Sequence, residues 1–244
     1  MKYQCVVKAK FIERENRFVA KASVDGEVAT VHVKNTGRCK ELLVPGATVY
    51  LEDFKDRMGS RKMRYSLIAV EKQIDRSETL LINMDSQAPN KAVHEALLSG
   101  KLVLPEFASK SKLLVKPEAV YGNSRFDFYV EGGEQKAFIE VKGVTLENDG
   151  FARFPDAPTE RGLKHIEELI KSAEEGYKAY ILFVIQMKKI HTFGPNYETH
   201  PAFGEALQKA AEKGVQILAY DCVVLEDQLV LDSPVKIDLS EPVS

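Results

Sequence analysis

Residues 125–146, "RFDFYVEGGEQKAFIEVKGVTL", hold two apolar segments on either side of a turn built on Gly132 and Gly133. Each arm alternates as the strand of a hairpin does. Phe126 and Phe128 share one parity and read as core, while Asp127 takes the other. On the second arm Glu140 and Lys142 share a side, with Val141 opposite. Antiparallel pairing across the glycines brings Asp127 beside Glu140. Buried charge is costly, and two close carboxylates repel unless a cation or a proton lies between them. Hard carboxylate oxygens suit Mg²⁺ or Mn²⁺, which keeps several waters and takes substrate phosphate oxygens as further ligands. Lys142 is placed to hold a water or to offset charge developing on a phosphate. Asp127, Glu140 and Lys142 therefore read as a kit for metal-assisted phosphodiester hydrolysis. Spacing alone also allows a plain Glu–Lys pair on an exposed sheet face, with Asp127 merely near a turn.

The flanking elements place the hairpin in an α/β domain. Upstream, "NMDSQAPN" (83–90) breaks the pattern, and Asn90 reads as the N-cap of a short helix, "KAVHEALLS", closed by Gly100. "KLLVKPEAVYG" (112–122) is a strand leading into the hairpin. Downstream, Thr159 caps a helix with Leu163, Ile166, Leu169, Ile170 and Ala173 on one face, ended by Gly176. "KAYILFVIQ" (178–186) is apolar on both parities, as a strand covered on both faces is. A helix over 201–214, a strand over 215–221 and a terminal hairpin over 223–232 complete the layout. The order α-β-β-β-α-β-α-β predicts a sandwich around a mixed sheet.

The first eighty residues differ in kind. Short extended segments at 5–24, 27–37, 47–54 and 64–74, with a hairpin signal at Asp25-Gly26, suggest about five strands closed into a small barrel. An OB-like barrel, which binds nucleic acid on one face, fits best, and an SH3-like barrel leaves the same trace. The expected domains are 1–82 and 83–244. Charge divides along the same line: 1–82 carries 16 Lys and Arg against 11 Asp and Glu, and 83–244 carries 18 against 25. The basic excess gathers in "KDRMGSRKMR" (55–64), a candidate phosphate-contacting loop through Arg57, Arg61, Lys62 and Arg64. With a net charge of −2 for the whole chain, attraction to a polyanion has to be local.

Several classes are set aside. No apolar run approaches the roughly 18–20 residues of a membrane span, and the charged N-terminal segment lacks the apolar stretch of a signal peptide. Cys5, Cys39 and Cys222 are odd in number and far apart, which suits reduced thiols in a cytoplasm better than zinc or disulfides. "NTGR" (35–38) lacks the Lys-Ser/Thr of a P-loop, and Arg38 there reads as a phosphate contact. Arg161 and Lys164, early in the Thr159 helix, are further candidates for phosphate. Gln186, at the end of its strand, is a candidate for reaching a bound nucleic-acid strand. His191 and His200 have no partners at metal-ligand spacing.

The second half resembles the PD-(D/E)xK nuclease superfamily, whose core is a helix, three strands, a helix and a strand. The match is Asp127 followed, after twelve residues, by Glu140-Val141-Lys142. That resemblance implies a further acidic metal ligand on the first helix, and Glu95 occupies the place; the adjacent His94 points about 100° away from it. The literal Pro155-Asp156 lies after this motif and reads as a loop. Across both halves, "NRF", "HVKNTGRCKELLVPG", "INM", "GNSRFDFYV", "EVKGVTL", "ARFPDAPTERGLKHIEELI" and "FVIQ" resemble the sugar fermentation stimulation protein A family. That resemblance implies an OB-fold joined to a nuclease-like domain, DNA binding with little sequence preference and a regulatory role in sugar metabolism. An active Mg²⁺-dependent nuclease, on DNA or on RNA, is the alternative.

Overall fold

A computed structural model describes residues 1–35, 37–75, 78–107, 113–122 and 124–241. Thr36 of the "NTGR" segment lies outside the described residues. The first half forms strands β1 (Val6–Arg14), β2 (Val19–Val24), β3 (Glu27–Val33), β4 (Thr48–Asp53), β5 (Tyr65–Gln73) and β6 (Thr79–Asn83). Positive φ at both Asp25 and Gly26 (51° and 88°) turns β2 into β3, as a two-residue hairpin of the I′ kind requires. β1 pairs antiparallel with β2 and β4, and β4 with β5. β3 then runs parallel to the start of β5, Val31 to Tyr65 through Val33 to Leu67, which closes the ring. Five strands make an OB-like barrel filled by Phe11, Val31, Val49, Leu51 and Leu67, and β6 extends its rim along β5.

The second half follows as α1 (Ala88–Ser99), β7 (Leu114–Tyr121), β8 (Ser124–Gly132), β9 (Gln135–Val144), β10 (Leu146–Asn148) and β11 (Phe151–Phe154). Then come α2 (Glu160–Glu174), β12 (Lys178–Ile185), β13 (Thr192–Pro195), α3 (Pro201–Glu212), β14 (Gln216–Leu225), β15 (Gln228–Pro234) and β16 (Lys236–Ile237). The main sheet has the order β15-β14-β12-β9-β8-β7. β9, β12 and β14 are parallel, joined by crossovers through α2 and α3, and antiparallel pairs flank them. β12 is buried almost throughout, matching its unbroken apolar run. The short sheet β10-β11-β13-β16 is not foretold by the sequence, because strands of two to four residues leave no periodicity.

The boundary of α1 corrects the expectation. The helix starts at Ala88, with Gln87 at the cap position, because Pro89 fits the first turn. Asn90 lies inside it. The two cores also cut across the expected halves. One buried cluster runs from the barrel interior to the layer of α2 and α3; the other, under α1, includes Met1 and Tyr3. The Met1 amino group bonds the Leu229 carbonyl at 2.7 Å. Polar contacts tie the halves as well: Gln186 donates to Asn83 Oδ1 (2.8 Å) and Lys34 to Asp85 (2.6 Å), with Asp85 buried.

Candidate functional site

Phe126 and Phe128 are both buried, yet they do not share a layer. Phe126 stacks with Tyr121 and Phe138 in the cluster under α2, whereas Phe128 lies on His94 of α1, rings 5.8 Å apart and nearly parallel. Alternation in β8 therefore breaks at Asp127, and the ladder with β9 ends at Phe128–Ile139. Freed from the ladder, Asp127 reaches across: Oδ2 accepts the Val141 N–H at 2.7 Å and Oδ1 accepts the Asn90 side-chain amide at 2.6 Å. Asn90, read as a cap, is in fact the residue that α1 brings to this site.

Glu140 is 3% exposed, on the central strand β9. Its Oε1 takes Lys142 Nζ at 2.5 Å and His165 Nδ1. Its Oε2 is buried with no hydrogen-bond partner among the described residues. His165 stands on α2, whose Thr159 cap accepts the Gly162 N–H at 3.0 Å as expected. Arg161, four residues before His165, donates to Nε2 at 3.4 Å, which leaves the Nδ1 proton for Glu140. His165 has no assigned role in the sequence reading. The signal was present: a histidine among the apolar positions of an amphipathic helix needs a buried polar partner.

Electrostatics separates the two carboxylates. Burial, helped by the charge of Glu140, pushes the Asp127 carboxyl up to about 6, against the Val141 and Asn90 hydrogen bonds. Burial pushes Glu140 up as well. There the His165 hydrogen bond and the charges of Lys142 and His165 outweigh it, holding Glu140 below the usual carboxylate range. Gly143 completes the packing: a Cβ there would lie 2.5 Å from Gln186 Oε1 and 2.9 Å from Pro89 Cγ, so only glycine lets α1 and β12 close on β9.

Asp127, Glu140 and Lys142 thus share one place, and Glu95 does not join them. It is 63% exposed and pairs with the Met1 amino group at 2.6 Å, lying about 140° around the helix from Asn90. Among the described residues, no group of three or more His, Cys, Asp or Glu side chains gathers as a metal cage. What exists is a pair of carboxylates, one with a spare oxygen.

The 55–64 loop is more self-contained than expected. Arg64 forks onto Asp53, Arg57 binds Glu52 and the Gln4 carbonyl, and Arg61 bonds Ser66 while its guanidinium covers Phe54. Only Lys55 and Lys62 stand exposed without such a partner among the described residues. Arg38, Arg161 and Lys164 are exposed. Gln186, expected at a bound strand, is 1% exposed and spends its amide on Asn83 and Asp85. The Pro155-Asp156 loop meets the barrel at Gly37, where a Cβ would collide with the Asp156 carboxylate at 2.0 Å.

A cleft of about 450 Å³ opens where the halves meet; Asp127, Glu140 and Lys142 do not line it, and it nears them through Gly143 on β9 and Arg161, the neighbour of His165. Arg17, Asn35 and Gly37 line it from the barrel; Gly143, Arg161 and Gln186 line it from the other side. Among the described residues, no helix is long and apolar enough to cross a membrane.

Barrel and site together define a two-domain class: an OB-like barrel fused to a mixed-sheet α/β domain with an Asp–Glu–Lys constellation at the end of its central hairpin. Family comparison agrees. Residues 12–82 match the sugar fermentation stimulation (SfsA) N-terminal OB domain, and residues 87–228 match the sugar fermentation stimulation protein RE domain. The chain belongs to the sugar fermentation stimulation protein family. A homolog from Clostridium beijerinckii is 56% identical over 94% of this chain and 96% of its own length. One from Desulfitobacterium hafniense is 49% identical over 99% of this chain and 100% of its own. Pyrococcus furiosus SfsA, solved in complex with Ca²⁺, superimposes with a TM-score of 0.84 at 28% identity, covering 98% of both chains.

Proposed function

We propose that this chain binds nucleic acid, DNA above all, with little sequence preference, and holds Mg²⁺ or Mn²⁺ at Asp127 and Glu140 in a site of the phosphodiesterase type. One observation carries this reading: Glu140 Oε2 is buried and unpartnered among the described residues, while Oε1 is fully engaged. A buried carboxylate oxygen without a donor is expensive, and a hard cation removes the cost. Two carboxylates suffice for Mg²⁺, which commonly takes one or two and completes its shell with water and phosphate. That a relative at 28% identity was solved with Ca²⁺ supports a cation site in this fold.

Such an ion would polarise a phosphodiester as a Lewis acid. The chain's own residues do the rest. His165 and Lys142 hold Glu140 ionised through Oε1 and leave Oε2 free. Asn90 and the Val141 N–H orient Asp127. Lys142 keeps a positive charge beside the place where phosphate charge would build. The barrel supplies the grip, and the family's link to sugar fermentation is exerted through that binding.

The test is titration of Mn²⁺ into wild type and Asp127→Asn, followed by incubation of both with single- and double-stranded DNA. Metal binding and DNA nicking by wild type alone support the hydrolytic site. Metal binding with intact DNA leaves a binder whose turnover is not on DNA. No metal binding by wild type refutes the cation site.

A further inference from the structure

Several arginines of this chain are already engaged by the protein itself. Arg57, Arg64 and Arg125 are paired with carboxylates, and Arg14 is spent on the carbonyls of Arg17, Asn35, Gly37 and Arg38. Arg17 and Arg161, which face the cleft from opposite walls, have no carboxylate partner among the described residues. Arg17 lies on Phe18, 5.6 Å from the ring centroid, and Phe18 is 50% exposed at the turn from β1 to β2. An exposed aromatic beside an unneutralised guanidinium is the pair that single-stranded nucleic acid uses, ring for the base and cation for the phosphate. Loops at this position of OB barrels commonly carry such contacts. Arg161 continues the path, since its other contact is His165, the holder of Glu140. The cleft volume of about 450 Å³ is that of a small-ligand pocket, a size that suits one polynucleotide strand better than a duplex.

We infer that the substrate is a single strand, with a base stacked on Phe18 and phosphates passing between Arg17 and Arg161 toward Glu140. This rests on the proposed metal-dependent reading only for its last step; the binding path stands on the cleft and on Phe18, which lies outside the cleft lining and adjoins it through Arg17. Direction follows from the geometry: the strand crosses from barrel to sheet, so Phe18 engages a nucleotide away from the scissile one.

Fluorescence anisotropy with the full chain in EDTA tests it, using labelled oligo(dT), oligo(U) and a mixed-sequence duplex. Single strands should bind at least tenfold tighter than the duplex. Phe18→Ala should lose roughly tenfold on single strands, the usual worth of one stacked base, with an unchanged salt slope. Arg17→Gln should lower the magnitude of the log–log salt slope by about 0.7, one phosphate's share on a single strand. Preference between oligo(dT) and oligo(U) assigns the polymer, and either supports the path. Equal or tighter duplex binding, or a Phe18→Ala variant that melts and binds like wild type, overturns it. A parallel Mn²⁺ titration of wild type separates the two readings. No heat of binding alongside the predicted single-strand behaviour removes the metal site and leaves the path. Heat of binding with an indifferent Phe18 does the reverse.

Discussion

Replacing Asp127 with Asn should make the metal-free protein more stable, and by an amount the site itself sets. Burial and the nearby Glu140 raise the Asp127 carboxyl from 3.8 to about 6. A group whose folded pKa lies above its unfolded one favours folding while protonated, so its contribution is full below pH 3.8 and is lost as pH climbs through about 6. Holding the carboxyl that far above its ordinary value costs about 3 kcal/mol once the group is ionised. The asparagine variant escapes that penalty and can keep both contacts: its side-chain oxygen accepts the Val141 N–H, and its amide donates to a flipped Asn90. For a chain of this length, the gain corresponds to about 5–10 °C in melting temperature. The assay is thermal unfolding of wild type and Asp127→Asn in EDTA from pH 5 to pH 8. The difference should be largest above pH 7 and shrink to about half at pH 5. Added Mn²⁺ should narrow it, since only wild type gains from the ion. An Asn variant that melts at or below wild type at pH 8 would show that Asp127 is not strained by its surroundings, and the electrostatic account of the site would fail.

Three further outcomes follow from the same geometry. Mn²⁺ affinity of wild type should fall about tenfold per pH unit below about 6, as Asp127 takes up its proton, and titration calorimetry at pH 5, 6 and 7.5 reads this directly. His165→Ala should weaken Mn²⁺ binding about 10–100-fold by releasing Glu140 Oε1, while His165→Gln, which retains a donor, recovers part of the loss. Gly143→Ala forces Gln186 or Pro89 away and should cost about 1–3 kcal/mol, read as a lower melting temperature in chemical or thermal unfolding.

How much of this was legible beforehand depends on the length scale of each signal. The barrel and the α/β order were readable, since β5 and β12 are apolar runs of strand length and Asp25-Gly26 names its own turn. The Asp127–Glu140–Lys142 trio was readable because a hairpin fixes its register through its turn. Glu95 was misplaced because its place came from the resemblance, and a helix moves a side chain about 100° with each residue, so one position off the expected one faces elsewhere. Asn90 was misread for a related reason: Asn is favoured at helix caps, and nothing local says that a strand 37 residues later needs its amide. The loop at 55–64 looked free to meet phosphate because Asp53, Glu52 and Ser66, which absorb its arginines, only face it once β4 and β5 are paired.

The walls of the cleft come from different halves of the chain, but they share a hydrophobic cluster and are pinned by Gln186 on Asn83 and by Asp156 against Gly37. On the proposed path, a strand entering this cleft would meet walls already joined by these contacts, and little ordering entropy would be lost in the protein on binding. Free and bound forms should then differ by side-chain rotamers at Arg17, Phe18 and Arg161 rather than by domain closure, and selectivity would come from what can thread the gap instead of from what can drive it shut.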